Sequence, residues 1–179
     1  MNKFLIGALV LITLVVGVFF LISNSQKTNT GEIQEMMQKS DSGTESEKME
    51  GKKVEGYQAK VLAGNSSPFL EFNKADYEKA KSEGKIILLD FYATWCPICR
   101  AEAPEINSGF ESLDSDRVIG FRVNFNDPDT DDDERTLAKE FNIPYQHTKV
   151  IIKDGLELSR SSDSWTKDDF LNAVKKVLK

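Results

Sequence analysis

Hydrophobic and polar residues alternate in blocks over the last two-thirds of the chain, and these blocks predict strands and helices in turn. Ile86 to Tyr92 is a near-continuous apolar run, which is typical of a strand buried on both faces. Capping residues and prolines mark the starts of helices between the apolar runs. The predicted strands are Pro68 to Phe72, Ile86 to Tyr92, Val118 to Phe125, Lys149 to Lys153 and Leu156 to Arg160. The predicted helices are Asn73 to Glu83, Pro97 to Leu113, Asp131 to Phe141 and Thr166 to Leu178.

The order of these elements indicates a fold class. The last two strands form a hairpin that turns at Asp154-Gly155, and a closing amphipathic helix follows them. Strand–helix repeats that end in an antiparallel hairpin and a helix predict an α/β fold, a mixed central sheet with helices on both faces.

The first third of the chain does not have this pattern. Phe4 to Ile22 is an uncharged run of 19 residues, which as a helix would be about 28 Å long, close to the hydrocarbon thickness of a bilayer. A cleaved signal peptide is the alternative, but its apolar core usually has only about 7 to 15 residues. Lys3 before the run and Lys27 after it weakly favour an inside N-terminus. We therefore predict an uncleaved, single-pass anchor in the cell membrane and an extracytoplasmic domain.

A polar segment separates this anchor from the globular part. Residues 23–53 are rich in Ser, Thr, Asn, Gln, Glu and Lys and poor in aromatic and β-branched residues, so they cannot build a core. The predicted organisation is a short flank at residues 1–3, a transmembrane helix at 4–22, a flexible stalk at 23–53 and one globular domain at 54–179.

Two cysteines, Cys96 and Cys99, follow the buried strand, and the chain has no others. A disulfide at this spacing closes a tiny ring, so its value is reactivity and not stability. The predicted helix places the first sulfur at an N-terminus, where unpaired N–H groups and the helix dipole stabilise a thiolate. A metal or iron–sulfur site using both cysteines and His147 is the alternative, although a closed zinc site needs about four ligands.

Charge excludes other functions and raises one more candidate. With 29 acidic and 23 basic residues and no basic patch interleaved with aromatics, we expect no nucleic-acid partner. Asp127, Asp129 and Asp131 have the spacing of a calcium-binding EF-hand loop. Its sixth position would be Asp132 and not Gly, and its twelfth Ala138 and not Glu, so we interpret the acids as ordinary stabilisers of a helix N-terminus. We expect no cofactor.

The sequence DFYATWCPIC, residues 90–99, resembles the active site of the thioredoxin superfamily. The predicted order of elements is similar to the thioredoxin fold across residues 65–179. The resemblance implies a thiol-disulfide oxidoreductase in which Cys96 is the exposed attacking sulfur and Cys99 the buried resolving sulfur.

The resemblance also implies supporting residues around the two sulfurs. Trp95 stands where the family has a tryptophan beside the reactive sulfur, although a rim or core aromatic explains it equally well. Pro97 suits the first helical turn and fixes φ there, with or without a redox role. Asp90 corresponds to a buried acid that relays the proton of Cys99, for which burial would raise its pKa; the alternative is an aspartate at an edge facing water.

The chain departs from the family opposite the cysteines, where thioredoxins have a cis-proline before a strand. Counting back from the predicted hairpin turn, that position falls on His147, with Thr148 starting the strand. Pro144 could still be the cis-proline if the strand is longer and bulged. The run YQHT, residues 145–148, is similar to one in membrane-anchored bacterial thioredoxin-like proteins. His147 could bond a substrate backbone, depress the Cys96 pKa, bind metal, or simply be packed.

We therefore expect a monomeric enzyme that exchanges disulfides with extracytoplasmic proteins. Its partners would be protein disulfide or dithiol substrates and a separate redox partner. The direction of electron flow depends on thiolate stabilisation, which spacing alone does not set. A redox-silent binding module with a thioredoxin fold is the remaining alternative.

Overall fold

Residues 54–179, the part of the chain that a computed structural model describes, form a mixed six-stranded sheet flanked by four helices. The strands are β1 (Val61–Ala63), β2 (Phe69–Glu71), β3 (Ile86–Tyr92), β4 (Val118–Asn124), β5 (Thr148–Lys153) and β6 (Leu156–Ser161). The helices are α1 (Lys74–Ser82), α2 (Pro97–Ser112), α3 (Asp132–Glu140) and α4 (Lys167–Val177).

Strand β3 lies in the interior of the sheet, whose order is β1-β2-β4-β3-β5-β6. It pairs in parallel with β4 and antiparallel with β5. The continuous apolar run of β3 follows from this position, because helices cover both of its faces. The expected mixed sheet with helices on both faces is therefore confirmed.

Alternate residues of β3 enter two separate cores. Ile87, Leu89 and Phe91 pack in the first core with α1 and α3. Ile86 and Leu88 pack in the second core with α2 and α4. By the same alternation, Asp90 points to the α2 side of the sheet.

Capping residues begin three of the helices. Asn73 accepts from the N–H of Asp76 at the start of α1, and Asp131 and Thr166 form capping boxes at the starts of α3 and α4. The sequence analysis predicted these starts and the strand boundaries to within one or two residues. Strand β1 was not predicted.

The predicted membrane anchor, residues 4–22, and the predicted stalk, residues 23–53, lie outside the described residues. Within residues 54–179, no helix combines the length and the apolar character needed to span a bilayer.

Candidate active site

The two cysteines lie where β3 passes into α2. Cys96 is the N-cap of α2, with Pro97 as the first helical residue. The N–H of Cys99 donates to Cys96 Sγ at 3.2 Å, so a main-chain donor is in place for negative charge on that sulfur. Both cysteines are free thiols in this structure.

Both sulfur-bearing residues are buried, which corrects the expectation that Cys96 is exposed. Cys96 and Cys99 each have 3% of their surface exposed, whereas the intervening Ile98 is 50% exposed and Pro97 is also exposed. Cys96 packs with Ala93 because the turn after β3 folds the N-cap side chain inward. The exposed surface of the motif therefore belongs to its apolar neighbours and not to Cys96.

The Cys99 thiol holds its proton tightly. Burial raises its pKa to about 12, supported by the hydrogen bond with Cys96 and by the charges of Cys96 and Asp90, while the main chain at Ala93 acts in the opposite direction. A thiol with this pKa is a poor nucleophile at neutral pH. Cys99 therefore needs a proton acceptor before it can attack.

Asp90 is buried on the same side of the sheet, so the alternative of an aspartate facing water is wrong. Burial raises the pKa of its carboxyl group to about 6; Arg122 lowers it, Glu102 raises it and Lys149 lowers it. A carboxyl group with a pKa near neutrality can both accept and release a proton at physiological pH. Asp90 thus has the burial and the raised pKa that the predicted proton-relay role requires.

The loop between β4 and α3 holds the active-site turn in place. Asp127 is buried and accepts hydrogen bonds from the N–H and the hydroxyl of Thr94, at 2.5 and 2.7 Å. Trp95 Nε1 donates to the carbonyl of Asn126 at 2.9 Å, and its ring is 51% exposed. The sequence analysis assigned Asp127 only to an acidic run, because nothing local to that run indicates its distant partner.

We expect Asp127→Ala to reduce the free energy of unfolding by about 2 kcal/mol, because the hydrogen bonds that its carboxylate accepts from Thr94 and Asp129 are lost. Burial would raise the pKa of Asp127, but the bonds from Thr94 and Asp129 outweigh it and the pKa is lowered. The loss should therefore be full above pH about 4 and shrink below it. Urea titrations at several pH values measure this loss, and Asp129→Ala at the exposed neighbouring position is the control. Equal losses in both variants would mean that the hydrogen bonds between Asp127 and Thr94 do not stabilise the active-site turn.

His147 directly precedes β5 and Thr148 is its first residue, as the register from the hairpin predicted. The backbone of His147 has a φ of 69°, and its N–H donates to the carbonyl of Phe91 at 2.6 Å. Thr148 is fully buried and its hydroxyl donates to the carbonyl of Tyr145 at 3.0 Å. No peptide bond among residues 54–179 is cis, so the alternative of a cis Pro144 is wrong.

The His147 ring lies close to the carboxylate of Glu102. Nδ1 lies 2.9 Å from Glu102 Oε2, but an N–H on that nitrogen would not point at the oxygen, so the contact lacks hydrogen-bond geometry. Burial and the Lys149 ammonium lower the pKa of His147 against the opposing effect of Glu102 and Asp163. The lowered pKa favours the neutral imidazole, so His147 is a weak source of positive charge beside the cysteines.

The metal alternative finds no support in the geometry. Within the described part of the chain, no three His, Cys, Asp or Glu side chains come close enough together to hold a metal ion. Cys96, Cys99 and His147 therefore do not form a ligand set.

A buried ion pair completes the site, and the sequence analysis did not find it. Glu102, one turn beyond Cys99 on α2, lies 2.8 Å from the Nζ of Lys149 on β5. Lys149 is fully buried and Glu102 is 5% exposed. Lys149 is the first residue of a predicted strand, and the sequence does not show that its side chain is buried, because its partner Glu102 is 47 positions away in the chain.

A sequence model described as Thioredoxin matches residues 68–176, which include the sheet from β2 onward and both cysteines. The chain belongs to the thioredoxin family. Members of this family are thiol-disulfide oxidoreductases, so this thioredoxin-family chain is an enzyme of that type and the redox-silent alternative is set aside.

Individual relatives agree with the family. The chain is similar to a Thioredoxin H-type of Fagopyrum esculentum, 31% identical over 98 residues that cover 55% of this chain and 77% of the relative. It is also similar to a Thioredoxin of Coprinus comatus, 31% identical over 86 residues that cover 48% and 76%. A mutant thioredoxin of Halobacterium salinarum NRC-1 shares the fold at 20% identity and a TM-score of 0.50, covering 65% of this chain and 96% of that one.

Proposed function

We propose that this protein is a membrane-anchored bacterial thioredoxin that exchanges disulfides with extracytoplasmic proteins through Cys96 and Cys99. The observation that carries the proposal is the arrangement of the two sulfurs, with Cys96 at a helix N-terminus, Cys99 protonated beneath it and Asp90 buried on the same side of the sheet. The uncharged run at residues 4–22 and the polar stalk that follows support the location.

The surface around the cysteines fits a protein substrate. Trp95 and Ile98 flank Cys96 and are 51% and 50% exposed, and Tyr145, two residues before His147, is 50% exposed. Large apolar side chains at a surface mark interaction sites when they cluster. The positions of Trp95 and Ile98 beside Cys96 favour a polypeptide substrate, which can cover both side chains, over a small free thiol.

A groove beside the motif offers a place for such a polypeptide. It has a volume of about 390 Å³ and runs between the first turns of α2 and the loop before α4. Its walls include Pro97, Ile98, Ala101 and Trp165. An extended chain in this groove would pass next to Pro97, the residue that follows Cys96.

The exchange follows from the two sulfurs. The Cys96 thiolate attacks one sulfur of a substrate disulfide, the substrate S–S bond breaks, and a mixed disulfide forms while the other substrate sulfur leaves as a thiolate. Cys99 gives its proton to Asp90 and attacks Cys96 Sγ. The Cys96–Cys99 disulfide closes and the second substrate thiolate leaves. The substrate gains two electrons and the enzyme loses two, which a separate redox partner must restore; oxidation of a dithiol substrate is the same sequence in reverse.

We expect the catalytic domain to be released when intact cells whose outer face is accessible are treated with protease, because the stalk at residues 23–53 would be the accessible segment. The full-length protein should sediment with membranes and need detergent for extraction, and it is expected to act as a monomer. Immunoblots of the supernatant, with a cytoplasmic protein as protection control, measure the release.

Two results would contradict this location. A mature protein whose intact mass shows a start near Gln26 would mean that the apolar run is a cleaved signal. Protection of the domain in cells with an accessible outer face, with cleavage only after detergent is added, would place the domain in the cytoplasm.

A further inference from the structure

A row of charged residues crosses the sheet beneath α2. Asp90 is paired in register with Arg122 of β4 on one side and with Lys149 of β5 on the other. Side chains directly opposite each other on neighbouring strands project to the same face. Leu89 and Phe91, the neighbours of Asp90 along β3, pack in the first core with α1 and α3. The charged row therefore faces the second core and α2.

Helix α2 covers this row with Cys99 and Glu102. Their spacing of three residues puts them on one face of the helix, and both are buried. Two side chains from the helix thus lie over two from the strands. The charge of Asp90 raises the pKa of Cys99, and Glu102 forms an ion pair with Lys149 at 2.8 Å.

The Glu102–Lys149 pair is fixed from the loop before α4. Glu102 Oε1 also accepts from the N–H of Trp165 at 2.6 Å. Lys149 Nζ also donates to the carbonyl of Asp163 at 2.6 Å, and it lies 5.3 Å from the centre of the Trp165 ring. These bonds hold the ammonium group on the Glu102 side of the row.

Asp90 consequently lies between two cations and has an ion pair with neither of them within residues 54–179. The Arg122 guanidinium stacks over the rings of Tyr92 and Phe69, at 4.6 and 5.4 Å from their centres. The Lys149 ammonium is occupied by Glu102 and by the Asp163 carbonyl. An unpaired buried carboxylate is the kind of group that takes up a proton readily.

We propose that Glu102 and Lys149 are positioning residues that tune Asp90 as the proton acceptor of Cys99. Glu102 holds the Lys149 ammonium away from Asp90 and cancels most of its charge, so that Asp90 can carry the proton that Cys99 gives up. The inference rests on the proposed disulfide exchange and adds to it a device made of this chain's own residues. The charged and titratable groups that face Asp90 are Arg122 from β4, Lys149 from β5, and Cys99 and Glu102 from α2.

The two charges of the pair act on Asp90 in opposite directions. Lys149 without Glu102 would favour the charged carboxylate, and Glu102 without Lys149 would favour the protonated acid. A pair whose charges did not reach Asp90, and which served only the stability of the fold, would move the titration of Asp90 in neither direction. The opposition therefore distinguishes control of Asp90 from a structural role.

The resolving step can be observed directly in the reduced full-length protein in detergent with the chromogenic disulfide dithionitrobenzoate. Cys96 attacks the reagent, its S–S bond breaks and one coloured thiolate leaves. Cys99 then transfers its proton to Asp90 and attacks Cys96 Sγ, the Cys96–Cys99 bond forms, and the second coloured thiolate leaves. The reagent gains two electrons and the protein loses two. Rapid mixing at a series of pH values gives the rate at which the second thiolate is released, and the midpoint is the pH at which this rate is half-maximal. Comparison with Asp90→Asn identifies the part of this pH dependence that is due to Asp90.

We expect Glu102→Gln to lower this midpoint and Lys149→Met to raise it, each by about half a pH unit or more. The double variant should return to within about 0.3 of a pH unit of the wild type, because both charges are gone. Glu111→Gln on α2 and Lys153→Met on β5 make the same charge changes at exposed positions of the same elements and should leave the midpoint unchanged.

Midpoints that superimpose, or that move in the same direction in both single variants, would overturn the proposal. Removing one partner of a buried pair is strongly destabilising, so Lys149→Met could fail to fold. Glu102→Gln is then compared with the double variant, whose midpoint must be higher than that of Glu102→Gln. If the wild type itself releases no second thiolate, the proposed exchange mechanism fails, and this result is distinct from the failure of the tuning pair.

Discussion

Cys96→Ser should abolish turnover of a disulfide substrate, whereas Cys99→Ser should stop the reaction at a stable mixed disulfide with the substrate. The first change removes the attacking sulfur at the N-cap of α2, and the second removes only the sulfur that resolves the intermediate. Activity should fall by about a thousandfold or more in both variants, because serine is a far weaker nucleophile than a thiolate.

Non-reducing gels and intact mass measure the trapped intermediate. Ser108→Ala, at a half-buried position further along the same helix, is a matched control that should retain activity. Mixed disulfides in the Cys96→Ser protein and none in the Cys99→Ser protein would mean that the roles of the two sulfurs are reversed. Full activity of Cys96→Ser would contradict its assignment as the nucleophile.

Asp90→Asn should make the protein more stable at neutral pH, by roughly 2 to 3 kcal/mol. The carboxyl group has a pKa of about 6 in the folded protein against 3.8 as its ordinary value, because burial penalises the charged form. Between these pH values the folded protein binds more protons than the unfolded chain, so the stability of the wild type falls as pH rises through this window. The advantage of asparagine should therefore be full above pH about 6 and absent below about 4.

The same substitution should slow the resolving step, since Cys99 loses its proton acceptor. Urea titrations of both proteins at pH 4 and pH 8, the first about at the unfolded pKa and the second well above the folded one, measure the stability effect. Asp114→Asn, just beyond α2, is a control that should show no such pH dependence. A variant less stable than the wild type at the higher pH would mean that Asp90 has a hydrogen-bonding partner in the folded protein.

The sequence predicted those parts of the fold that repeat locally. The apolar run of β3, the capping residues Asn73 and Thr166 and the turn at Asp154-Gly155 each have a signal within a few residues. The position of His147 directly before β5 could also be counted from that turn. These predictions needed no knowledge of which residues meet in space.

The parts that the sequence did not predict depend on contacts between distant residues. Glu102 and Lys149 are 47 positions apart, and Asp127 and Thr94 are 33 apart. In the sequence, Glu102, Lys149 and Asp127 look like ordinary surface charges or loop acids, because their partners are close only in the folded protein. The burial of Cys96 was missed for a similar reason, since a CxxC motif does not show which way its first side chain turns.

The burial of both cysteines also limits which disulfides of other proteins can reach the Cys96 sulfur. Sulfur must approach sulfur in line, and here the attacking atom lies below a rim formed by Trp95 and Ile98. A disulfide held rigidly in a folded surface would not reach the buried sulfur, whereas a disulfide in a flexible loop or an unfolded chain would. We therefore expect the enzyme to exchange disulfides in loose loops and unfolded chains faster than disulfides held in a folded surface.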